Sequence, residues 1–95
     1  MDTIVVMKAV DNVATCLKGL AKGDVAEFYI DGEHQSVIVR DDIPFGHKIA
    51  LFDMSAGCEV LKYAEVIGAA SRPIAAGEHV HVHNVESIRA RGDKP

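Results

Sequence analysis

Tryptophan is missing from this chain, and the remaining aromatics are two tyrosines and three phenylalanines. The core of a 95-residue protein must then come mostly from Val, Ile, Leu and Ala. Cysteine is nearly absent too. Cys16 and Cys58 lack metal-motif spacing, which excludes a cysteine-based zinc site; buried free thiols in a reducing cytoplasm are expected, with one oxidised bridge as the alternative. No apolar run approaches the roughly 20 residues of a membrane helix. Met1-Asp2 is not followed by a basic segment and a long apolar one, so no signal peptide is expected and the location read from the chain is cytoplasmic. Positive charge is in deficit: 10 Lys and Arg against 14 Asp and Glu give a formal net charge of −4. The densest basic cluster, Arg89-Ala90-Arg91, is too small for a nucleic-acid footprint.

What is present is a 48% hydrophobic composition, which fits a folded chain and argues against disorder. The length suits one domain that buries roughly two-thirds of its unfolded surface. The most informative stretch is Pro73 to Asn84. A turn signal, Ala75-Ala76-Gly77, opens into the alternation His79, Val80, His81, Val82, His83. Period two predicts a half-buried strand, with Val80 and Val82 toward a core and the three histidines on the other face.

Read in order, Thr3–Met7 is β-branched and predicts a first strand. Asp11 is a good helix N-cap, and Val13, Cys16, Leu17 and Leu20 follow helical spacing, which predicts a short N-terminal helix ending near Lys22-Gly23. Strands are then expected at Val25–Ile30, Ser36–Arg40, Lys48–Phe52, Glu59–Tyr63, Val66–Ala70 and His79–Val85. Asp31-Gly32 is a hairpin turn, with His34 in its loop and given no role. Residues 1–86 form the domain, and 87–95 read as a charged, solvated tail in which Arg91-Gly92-Asp93 is coincidental. Leu20-Ala-Lys-Gly23, Met54-Ser-Ala-Gly57 and Ile74-Ala-Ala-Gly77 share one device: an apolar anchor, a glycine able to take a left-handed conformation, then a strand opened by valine. The fold class is mainly β, with many short strands and one short helix.

Backbone spacing separates His79 and His83 by about 13 Å on an extended strand, while zinc–nitrogen bonds are about 2.0–2.1 Å. All three strand histidines cannot share one ion without a bulge. His81 and His83 leaning together, with His47 as third ligand, are the metal-ligand candidates; the competing reading is a wet strand face. Gly46-His47-Lys48 places a titratable ring beside a fixed positive charge, which suits an anionic substrate, with His47 moving a proton and Lys48 holding a carboxylate. Lys62 and Tyr63 can add a cation and a hydroxyl. Asp41-Asp42 reads as a solvated pair before a turn.

Ile43–Leu51, Val60–Gly68 and Ile74–Asn84 occur in this order and close together. Together they resemble the SAF domain, of β-clip fold, found at the N-terminus of the altronate dehydratase and galactarate dehydratase family. The small subunit of sulfolactate sulfo-lyase is similar. The resemblance spans the chain from Asp11 to Asn84. It implies a subunit of a β-eliminating hydro-lyase acting on a sugar acid with a large catalytic subunit, and a divalent metal, Fe(2+) or Mn(2+). The family's Gly-His-Lys falls on Gly46, His47 and Lys48; its Val-His-x-His-Asn falls on Val80, His81, His83 and Asn84, which adds Asn84 to Lys48 and Lys62 as substrate contacts. Its Lys-Tyr-Gly becomes Lys62-Tyr63-Ala64, where alanine makes a positive φ harder. His79 aligns with an aromatic in relatives and ranks last of the three. The rivals are a non-catalytic carbohydrate- or carboxylate-binding module, a sulfo-lyase small subunit, and, more weakly, a metal carrier. Homo-oligomerisation is left open.

Overall fold

The structure is a computed structural model and describes residues 3–6 and 8–87. Among these, the elements are short strands: β1 (Ile4–Val5), β2 (Val13–Cys16), β3 (Val25–Ile30), β4 (Glu33–Ile38), β5 (Lys48–Ala50), β6 (Glu59–Lys62), β7 (Glu65–Ala70), β8 (His79–Val80) and β9 (Val85–Glu86). They form a four-stranded sheet in the order β1-β2-β5-β8, a two-stranded ribbon β3-β4, and a three-stranded sheet β6-β7-β9. All pairings are antiparallel. The mainly β expectation is met.

The strands are short because one turn interrupts the chain four times. Each instance starts at an apolar anchor (Leu20, Ile43, Met54, Ile74) and reaches a positive-φ glycine three residues on: Gly23, Gly46, Gly57, Gly77. An N–H donated back three residues closes each turn, Asp24 to Ala21, His47 to Pro44, Cys58 to Ser55 and Glu78 to Ala75. The anchors pair as two bridges, Leu20 with Ile43 and Met54 with Ile74, and are buried. Each glycine N–H donates to a carbonyl on a neighbouring segment: Val39, Cys16, Ala70 and Ala50 in turn. The sequence reading found three of these turns as one device and treated Ile43–Gly46 separately.

The four-stranded sheet is a middle layer. Ala14, Cys16 and Ile49 face one apolar cluster with Ile4, Phe28, Val39 and Leu51. Val13, Ala50 and Val80 face a second with Met54, Val60 and Ile74. The expected helix after Asp11 is therefore a correction: residues 13–16 are β2, paired with β5 from Val13↔Ala50 to Thr15↔Lys48. A strand covered on both faces has no polar alternation, and Leu17, which completed the helical spacing, points to solvent. Asp11 is buried at a loop rather than capping a helix.

The last expected strand is also corrected. β8 stops at Val80, residues 81–84 turn, and β9 joins β7 instead. Val82 is 82% exposed and not in the core. The side chain of Asn84 makes this turn: its Oδ1 accepts from His81 N and its Nδ2 donates to the His79 carbonyl. His34 lies in β4, not in a loop, opposite Tyr29 and beside Glu27. Cys16 is buried and Cys58 half-buried, both free; burial pushes the Cys16 thiol up to about 11. Met7 and residues 88–95, with Arg91-Gly92-Asp93, lie outside the described residues.

Candidate active site

Sheet register brings the histidines together. β5 pairs with β8 so that Lys48 faces Val80 and Ile49 faces His79. His47 precedes β5 at the exit of its glycine turn, on the same side as Ile49 and therefore beside His79. Nδ1 of His47 and Nε2 of His79 share a hydrogen bond at 2.9 Å. The His47 and His81 rings stack with centroids 4.3 Å apart, His79 and His81 stack at 5.5 Å, and His83 is 5.2 Å from His79. The 81–84 turn folds the row back, so it does not span the length of an extended strand.

The set whose ring nitrogens converge is His47, His79 and His81, all within 4.8 Å of one another. His79, ranked last from sequence, contacts all three of the other rings, and the exposed His83 reaches the group through it. Two ligands on one ion lie at most about 4.2 Å apart at bonds of about 2.1 Å, so small ring rotations would let these three nitrogens meet a first-row ion. Imidazole donors fit iron(II) or zinc better than manganese, which favours oxygen ligands.

Two of the rings have their basicity held down by their surroundings. His79 is held below the ordinary imidazole value by burial first, then by His83, His47 and His81, while Asp41 pulls the other way. His81 is lowered by loss of solvent first, then by His47, Lys48 and His83. A neutral ring is the form that binds a metal or accepts a proton.

Two cavities flank the row. One, of about 410 Å³, is lined by Lys48, Lys62, His81, Ile67, Val82 and Val85, among others. The candidate lysines thus share a hollow with one candidate histidine, and Lys62 Nζ lies 4.8 Å from the centre of the Tyr63 ring. The other, of about 770 Å³, contains Arg40, Arg72, Asp41 and Glu78 with His79 and His83. Asn84 is fully buried and its carboxamide is turned to the His79 and His81 backbone, so it shapes the row from behind. Asp41, read from the sequence as half of a solvated pair, is half-buried and its Oδ2 accepts the His79 N–H at 3.0 Å; its placement two residues before Ile43 was the available signal.

An all-β scaffold clipped by paired glycine turns, with an imidazole row between a lysine-lined hollow and an arginine-lined one at the edge of its central sheet, defines a small β-clip module. The chain belongs to the altronate/galactarate dehydratase SAF-domain family, whose model matches residues 2–88. It is 47% identical over 79 residues to altronate dehydratase of Escherichia coli K12, covering 83% of this chain and 15% of that protein. It is 49% identical over 51 residues to the (2R)-sulfolactate sulfo-lyase subunit alpha of Chromohalobacter salexigens, covering 54% of each. The corresponding subunit of Paracoccus pantotrophus is 41% identical over 59 residues, which are 62% of this chain and 88% of that one. The chain thus spans about one-seventh of the length of the altronate dehydratase it matches. No helix among the described residues is long and apolar enough to cross a membrane.

Proposed function

We propose that this chain is the SAF module of a metal-dependent hydro-lyase that removes water from a sugar acid together with a large catalytic subunit. The observation that carries the reading is the convergence of His47, His79 and His81 beside a cavity holding Lys48 and Lys62. Elimination takes a proton from the carbon next to a carboxylate and hydroxide from the following carbon; the resulting enol tautomerises to a keto acid. Lys48 and Lys62 hold the carboxylate. Without a metal the His47–His79 pair keeps one proton between two nitrogens; metal binding would release that proton, and the exposed His83 exchanges protons with the leaving hydroxyl. Asn84 and Asp41 fix the backbone on which these rings stand. Iron(II), held by His47, His79 and His81, would supply Lewis acidity toward the carboxylate and its α-hydroxyl.

A 95-residue β module is small for enclosing a sugar acid, since pockets commonly bury most of their ligand. The large subunit supplies the rest, and the chain alone has little activity. The test is reconstitution with a large subunit and replacement of His81 or His83 by Ala. Lost kcat at little-changed KM supports catalysis; near-normal kcat with raised KM would make this a binding module instead. Substantial altronate turnover by the chain alone would refute the division of labour.

A second reading is the small subunit of a sulfo-lyase, with sulfite as leaving group. The alignment that spans 88% of the Paracoccus subunit favours it. Assay of the same complex on sulfolactate and altronate decides between them.

A further inference from the structure

We infer that Asp11 and Asn12 are positioning residues that hold Lys62 in its cavity by clamping the β6–β7 hairpin on both sides of it. The inference rests on the reading of Lys62 as a contact for the substrate anion. Asn12 grips the strand before Lys62: its N–H donates to the Leu61 carbonyl at 3.2 Å, its Oδ1 accepts from Leu61 N at 2.7 Å, and its Nδ2 donates to the Glu59 carbonyl at 2.9 Å. The grip falls at the register shift between Val60 and Leu61, where the β6–β7 ladder is irregular.

Asp11 grips the turn after Lys62. Its Oδ1 accepts from Ala64 N at 2.8 Å and its Oδ2 from Lys8 N at 3.2 Å, and the residue is 2% exposed. Tyr63 and Ala64 both have positive φ, 56° and 63°, a conformation that side-chain-bearing residues adopt only at a cost. A bond from outside the turn offsets that cost. Lys62 is therefore fixed through Leu61 on one side and Ala64 on the other, and it lines the cavity shared with Lys48 and His81. Without the clamp the turn loses its hold, and the ammonium moves with it.

The test uses the full chain, with galactarate as probe, followed by NMR shifts of the cavity residues and by amide exchange. Asp11→Asn replaces one carboxylate oxygen by a donor without changing shape. It should speed Ala64 amide exchange and weaken galactarate binding by about tenfold, the scale of one hydrogen bond to a charged group. Adding Ala64→Gly, which allows positive φ freely, should restore most of the affinity although the acid is still missing; a residue acting only on overall stability would show no such restoration of binding. Retained affinity in Asp11→Asn with a loosened turn would overturn the positioning role and leave the anion site standing. Equal affinity in Lys62→Ala and the wild type, or no galactarate binding by either, would remove the anion site and the inference with it.

Discussion

The two hairpins β3–β4 and β6–β7 use the same tight turn in opposite ways. Asp31-Gly32 and Tyr63-Ala64 are both two-residue connections with positive φ at each position. The first has residues that tolerate this conformation; its tip is exposed, and the hairpin is tied down at its root, through Val39 with Gly23 and Asp24 and through Arg40 with Gly77. The second has residues that do not favour it and is tied down at its tip, by Asp11. A self-sufficient turn needs nothing beyond itself and points nowhere in particular. A turn that must be held is held in one place, and Lys62 precedes it.

The largest expected effect is at the root of the first hairpin. A Cβ on Gly77 would come within 2.0 Å of the Ile38 carbonyl oxygen, at a φ of +92°. Gly77→Ala should cost more than about 3 kcal/mol, combining overpacking and backbone strain, and urea unfolding should show a collapsed midpoint. Next comes the held tip. Asp11→Ala leaves two N–H groups without their acceptor and should cost about 2–5 kcal/mol, against less than about 1 kcal/mol for the exposed Asp31→Ala. Equal losses would erase the distinction between the hairpins. Smaller still is a glycine exchange of opposite sign: Ala64→Gly should be neutral or stabilise by up to about 1 kcal/mol, while Gly32→Ala destabilises by about the same amount.

These contrasts also explain what could be read in advance. β3 and β4 have one wet face, so Val25–Ile30 and the Asp31-Gly32 turn were legible as they stand. β2 lies between two apolar clusters, lost its alternation, and imitated a helix through Leu17 and Leu20, which are an exposed residue and a turn anchor. The His79–His83 alternation promised one long strand because the effect of Asn84 depends on its side chain reaching back to His79 and His81. The nearness of His47 to His81 was read from the histidine pattern, with His47 as a third ligand beside the row. The central place of His79 was not, since it depends on the β5–β8 register, which pairs it with Ile49.

Histidine chemistry divides the molecule along the same line. His34 stands on the free hairpin beside Glu27, while His79 and His81 sit in the row with basicity held down. In the unfolded chain these two return to the ordinary value of 6.5 and take up protons first on acidification. Their contribution is fully present above that pH and declines as pH falls through their lowered folded values. Unfolding followed from pH 7.5 to 5 should show stability falling with acid, and His79→Gln should flatten that slope.

The most direct measurement is anaerobic iron(II) titration of the full chain by calorimetry, wild type beside His79→Ala and His34→Ala. Convergence of His47, His79 and His81 predicts saturable binding that drops by well over tenfold in His79→Ala and is unchanged in His34→Ala. Wild-type affinity retained in His79→Ala, or lost equally in His34→Ala, would contradict the site.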